Sequence, residues 1–72
     1  MVSFSSTAIG GATYDEPARV LTIQFTSGSQ LYEYPGVPQR IWDDLRAAAS
    51  KGTYFNLYIR AQYGAHHASV AG

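Results

Sequence analysis

Six tyrosines, at positions 14, 32, 34, 54, 58 and 63, are the residues of this 72-residue chain whose type most clearly points to chemistry. A phenol ring offers a flat π face for stacking and a hydroxyl that can donate or accept a hydrogen bond. Nucleobases stacked on such rings gain about 1–3 kcal/mol each. Arg19, Arg46, Lys51 and Arg60 supply cations for phosphate beside them, and Asn56 stands one helical turn before Arg60. The candidate ligand-binding set is Tyr32, Tyr34, Lys51, Tyr54, Asn56, Tyr58 and Arg60. A purely structural role competes at each position. Tyr32 and Tyr34 can fill the core of a protein too small to fill it otherwise. Asn56 can tie the loop near Gly52, and Arg60 can bond a backbone carbonyl or Glu33, since most side-chain hydrogen bonds run to backbone or water.

Other chemistries fail on spacing. Gly10-Gly11 lacks the lysine that a phosphate-cradling loop needs. His66 and His67 are adjacent near the C-terminus, with no cysteine or carboxylate at metal-ligand spacing. Asp43 and Asp44 are neighbours on a predicted helix, so they diverge by about 100° and do not converge on a reacting atom. With no cysteine there is neither a thiolate nucleophile nor a disulfide, which fits a reducing, cytoplasmic compartment. The chain is therefore expected to be non-enzymatic, with no cofactor and no bound metal.

Charge narrows the partner. Five basic and five acidic residues cancel, so few counterions would be released on binding a polyanion, and any nucleic-acid affinity is expected to be modest or to rely on a local patch. The composition, 46% hydrophobic and 14% charged, is that of a globular domain. No apolar run approaches the 18 residues of a membrane span, and Met1-Val-Ser-Phe-Ser-Ser lacks the basic and apolar regions of a signal peptide.

Period-2 alternation places a strand over Leu21-Thr-Ile-Gln-Phe-Thr26 and another over Ser29-Gln-Leu-Tyr-Glu-Tyr34. A two-residue turn at Ser27-Gly28 pairs Thr26 with Ser29, Ile23 with Tyr32 and Leu21 with Tyr34. Both tyrosines then share a face with Leu21, Ile23 and Phe25. A weaker strand over Thr7–Tyr14 carries Gly10-Gly11, the mark of a bulge or a close backbone approach. It turns at Asp15-Glu-Pro17, where Asp15 can bond the backbone beyond. After Pro38, Ile41, Leu45 and Ala48/Ala49 recur at helical spacing with Trp42 beside them. Arg40–Asp44 and Asp43–Arg46 pair on the surface, Lys51 suits the C-terminal end, and Gly52 closes the helix. Thr53–Tyr63 fits a strand by alternation. It also fits a helix capped by Thr53 and closed by Gly64, which aligns Phe55, Ile59 and Tyr63 with Tyr54 and Tyr58 adjacent. Its place after a short glycine link favours the helix. The expected architecture is α+β: a three-stranded antiparallel β-meander with two C-terminal helices packed on one face. Residues 1–64 form a single domain, and 65–72 a flexible C-terminal tail.

The order Tyr14-Asp15, Arg19-x-Leu21-x-Ile23-x-Phe25-x-Ser27-Gly28, Tyr32-x-Tyr34-x-Gly36-Val37-Pro38 and Ala49-Ser50-x-Gly52-x-Tyr54-Phe55-Asn56-x-x-Ile59-Arg60-x-x-Tyr63 resembles the KTSC domain family. The similarity runs from about residue 8 to residue 63. The family takes its name from the C-terminus of some lysyl-tRNA synthetases and also occurs as small bacterial or phage proteins. The resemblance implies a single small α+β domain, and attachment to a synthetase implies RNA as the ligand. Residues and resemblance together lead to a non-enzymatic binding module for RNA, single-stranded nucleic acid or a nucleotide. The alternative is a protein-interaction or homo-oligomerising module, with leftover aromatics and an outward Leu31 in the interface.

Overall fold

A computed structural model of the chain describes residues 1–28, 30–64 and the backbone of 66–68. Its elements run β1 (Val2–Ser3), β2 (Ile9–Asp15), β3 (Val20–Phe25), β4 (Leu31–Pro35), α1 (Gln39–Ala47), α2 (Lys51–Phe55), a π-helical segment (Asn56–Arg60) and β5 (His66–Ala68). The strands form one antiparallel sheet in the order β1-β2-β3-β4-β5.

The central register is the one that the alternation predicts: Ile23 lies opposite Tyr32 and Leu21 opposite Tyr34. Leu21 and Ile23 are fully buried, Tyr34 is buried and Tyr32 is half-buried against the same cluster. The glycine pair does what its lack of side chains allows. The β2–β3 register shifts between Ile9 and Gly11. A Cβ on Gly11 would lie 3.0 Å from the Val2 carbonyl oxygen of the adjacent strand, so only glycine lets β1 approach that closely. At the β2–β3 turn the Ala18 amide donates to Asp15 Oδ1 over 3.4 Å.

Sheet size is the first correction, five strands rather than three. β1 and β5 are two and three residues long, too short to show a period. β5 lies within the stretch expected to be a tail, and pairs Tyr32 with His67 and Glu33 with His66. Residues 65 and 69–72 lie outside the described residues.

The β3–β4 connection is longer than a two-residue turn, since β3 ends at Phe25 and β4 starts at Leu31. Thr26 explains this by bonding toward β2. Its amide donates to the Ala8 carbonyl at 3.1 Å and its hydroxyl to the Thr7 carbonyl at 2.7 Å. The ladder with β4 therefore stops at Gln24–Leu31. The expected Thr26–Ser29 pair involves a residue outside those described. Among the described residues the positive-φ glycine is Gly36, at φ +81°, rather than Gly28.

Helix α1 buries Trp42 and Leu45 and half-buries Ile41. It stops at Ala47, and Ala48 turns to extended backbone at φ −66°, ψ 137°. Gly52 is therefore not its closing residue but lies inside α2, where an added Cβ would come within 3.0 Å of the Ala8 Cβ. Lys51 does serve the α1 terminus: its ammonium donates to the carbonyls of Arg46 and Ala48, at 3.1 and 2.7 Å. The second helical stretch starts at Lys51 after Ser50 rather than after Thr53. Thr53 instead accepts from the Ser50 hydroxyl at 2.9 Å. The helix alternative for 53–63 is the one adopted as far as Arg60. Phe55 and Ile59 are buried and Tyr63 half-buried along one stripe. With Ile9, Ala12, Leu21, Ile23, Tyr34, Val37, Trp42 and Leu45 they make one core, with both helices on one face of the sheet.

Candidate functional site

A groove of about 920 Å³ opens between the β3–β4 connection and the π-helical segment. Its apolar surface is built from rings that also belong to the core. Phe55 meets Phe25 edge to face with centroids 5.3 Å apart, and Phe25 meets Tyr32 in the same manner at 5.5 Å. Tyr34, Tyr63 and the backbone at Gly28 and Gly64 complete the wall. Edge-to-face packing suits aromatic quadrupoles and leaves a pit rather than a row of parallel platforms.

The polar part of the groove comes from Ser27, Gln30, Asn56 and Arg60. Asn56 and Arg60 are exposed, and both line the groove because they sit four residues apart on one face of the helical segment. Neither structural role weighed from the sequence is formed among the described residues. Among the described residues no carboxylate pairs with the Arg60 guanidinium, Glu33 included, and the Asn56 side chain makes no hydrogen bond. The Tyr34 hydroxyl has no hydrogen-bond partner among the described residues either. It is also not a sealed, unsatisfied group, so its oxygen reaches the groove. Burial raises the Tyr34 pKa above 10.0, Arg60 opposes that rise, and Tyr32 adds to it. Tyr34 is thus a neutral donor–acceptor at neutral pH, close to a fixed cation.

The seven expected residues do not converge. Tyr32, Tyr34, Asn56 and Arg60 share the groove. Lys51 lines a separate hollow with Ser5, Ser6, Thr7, Ser50 and Thr53, which Asn56 also borders. There it sits over the Phe4 ring at 5.0 Å while capping α1. Tyr54 and Tyr58 pack ring against ring at a tilt of 37°, centroids 4.7 Å apart, away from the groove. The Tyr54 hydroxyl faces Asp44 at 3.5 Å; its pKa is raised by burial first and by the Asp44 charge second. Of the two expected surface ion pairs, Arg46–Asp43 is present and Arg40–Asp44 is not. The side chains of Phe25, Ser27, Gln30, Phe55 and Tyr63 also line the groove and lie outside the set expected from sequence. Phe55 was visible only as a core position of the helical stripe, and nothing in its spacing shows that one ring edge lines a groove.

Among the described residues no group of three or more potential metal ligands gathers, and no helix is long and apolar enough to cross a membrane.

The KTSC domain model matches residues 5–63, which span β2 through the π-helical segment. The chain belongs to the KTSC domain family. A crystal structure of a KTSC domain protein from Yersinia pestis superposes with a TM-score of 0.87 at 33% identity, covering 93% of each chain. A protein of Tsukamurella paurometabola is 37% identical over 65 residues, covering 90% of this chain and 96% of its own length. A lysine–tRNA ligase of Nostoc punctiforme is 43% identical over 51 residues, which are 71% of this chain and 9% of the ligase. This KTSC domain therefore matches only a small part of the ligases it resembles. Every expected site residue lies inside the matched span.

Proposed function

We propose that this KTSC domain is a non-enzymatic binding module for RNA, single-stranded nucleic acid or a nucleotide, and that it binds through the groove of Tyr32, Tyr34, Asn56 and Arg60. One observation carries the reading: Arg60 and Asn56 stand over an aromatic pit with no partner of their own among the described residues. A cation without a carboxylate partner among the described residues, beside the edges of half-buried rings, suits a ligand that is flat at one end and anionic at the other. The relationship to a segment of lysine–tRNA ligases supports RNA as the source of that ligand. The absence of cysteine supports a cytoplasmic location. The test is an NMR titration with mononucleotides and short single-stranded RNA. Amides of Gly28, Tyr34, Asn56, Arg60 and Gly64 are expected to shift; unmoved signals at millimolar ligand end the proposal.

A second reading rests on a different face. Leu57 and Tyr58 are 58% and 46% exposed on the outside of the helical segment, which suits a protein-interaction or homo-oligomerising module. Leu31, expected to point outward, is half-buried and contributes less. Light scattering at high micromolar concentration separates the two, because a strictly monomeric protein removes the self-association form of this reading.

A further inference from the structure

We infer that the groove holds a single nucleotide unit, one base with one phosphate, rather than a run of strand; this rests on the binding reading above. The distribution of cations carries the inference. Among the described residues that line the groove, Arg60 is the single cation and no carboxylate is present. The chain has four other basic residues, and none extends a path from it. Arg46 pairs with Asp43 and lies 5.1 Å above the Trp42 ring. Lys51 caps α1 and covers Phe4. Arg40 acts on Tyr54 beside Asp44. Arg19 precedes β3, at the end opposite the groove, because β3 runs from Val20 to Phe25.

Strand-binding surfaces combine a basic track with successive stacking platforms. Here there is one guanidinium, and the rings pack edge to face into one pit. The volume of about 920 Å³ lies within the usual range of small-molecule sites. In the inferred mode the base enters against Phe25, Phe55 and Tyr34. The Asn56 amide offers a donor and an acceptor to its edge, and the Arg60 guanidinium takes the phosphate.

The test uses the whole chain with adenosine, adenosine monophosphate, and adenylate tetramers and octamers as probes, followed by NMR and calorimetry across a range of salt. The monophosphate is expected to bind roughly tenfold more tightly than the nucleoside, about the size of one charge-assisted hydrogen bond. Its affinity is expected to fall only weakly with salt, because a mononucleotide carries no condensed counterions to release, whereas each strand phosphate held by a cation would add about −0.7 to a log–log slope. Oligomers should gain no more than their statistical factor. Arg60→Gln, at an exposed position, should bring the monophosphate down to the nucleoside, while Arg19→Gln leaves both unchanged. An octamer binding more than about tenfold tighter than the monophosphate, with a slope steeper than about −2, overturns the single-unit inference and leaves the binding module standing. Equal affinity for nucleoside and monophosphate overturns the role of Arg60. No response to any probe removes the binding reading and this inference together.

Discussion

The ring of Phe55 meets the ring of Tyr34 edge to face, with centroids 5.3 Å apart and planes at 80°. The same Phe55 ring meets Phe25 at 5.3 Å and 74°, so one side chain from α2 clamps rings from both β3 and β4. The clamp is core and groove wall at once, because Phe55 is only 3% exposed and that remnant faces the groove. Phe55→Ala is expected to cost about 3–5 kcal/mol. A domain of this size has a total stability of only about 4–11 kcal/mol, so a large share would be lost. Urea unfolding followed by circular dichroism measures it; a loss under about 1 kcal/mol would show that the helix docks by other contacts.

Backbone conformation yields a pair of opposite effects. Gly36 turns the chain between β4 and α1 at φ +81°, with open space where a Cβ would be. Gly36→Ala therefore carries a left-handed backbone cost of about 1–2 kcal/mol, offset in part by the roughly 0.5–1 kcal/mol of chain entropy that glycine loses on folding, for a net loss of about 0.5–1 kcal/mol. Arg19 adopts φ 56° with a side chain present. Arg19→Gly removes a similar strain but adds glycine's loss of chain entropy, about 0.5–1 kcal/mol, for a net gain of about 0.5–1 kcal/mol. Thermal melts of the two variants should move in opposite directions.

Tyr14 fastens β2 to the segment leading into α1. Its hydroxyl donates to the Val37 carbonyl at 2.6 Å, and its ring stacks 6.0 Å from Trp42 at an interplanar angle of 19°. Val37 is fully buried, so Tyr14→Phe strands its carbonyl and should cost about 1–3 kcal/mol. The stacking survives in that variant. Near-UV circular dichroism is expected to keep the Trp42 signal while the unfolding midpoint falls; an unchanged midpoint refutes the anchoring role.

Alkaline pH tests the environment of Tyr34. Its folded pKa is raised above 10.0, chiefly by burial, so the fold favours the neutral phenol. The associated stability is complete below the unfolded pKa of about 10 and is lost as pH rises through the folded value. Urea midpoints should hold between neutrality and about pH 9 and drop above about pH 10. Tyr34→Phe should change stability at neutral pH by no more than about 0.5 kcal/mol, as expected where no hydrogen bond is removed. It should also blunt the alkaline drop, and what remains belongs to other phenols, Tyr54 among them, whose pKa is raised as well. A full-sized drop in Tyr34→Phe would place the sensitive group elsewhere.

Alternation over residues 21–34 determined, without any coordinates, which face Tyr32 and Tyr34 share with Leu21 and Ile23, because a strand's side chains repeat every two residues and a slip of one is costly. Helical spacing likewise determined the stripe of Phe55, Ile59 and Tyr63, and the family motif marked Asn56 and Arg60. Only the tertiary structure decided that Thr26 bonds toward β2 and shortens the ladder, that Ala8 crowds Gly52 inside α2, and that two short strands extend the sheet. It alone separated Lys51, Tyr54 and Tyr58 from the groove and brought Gln30 and Phe25 into it. Spacing along a chain specifies periodicity and therefore a face, whereas a site depends on which faces of distant elements meet, and those distances are set by packing.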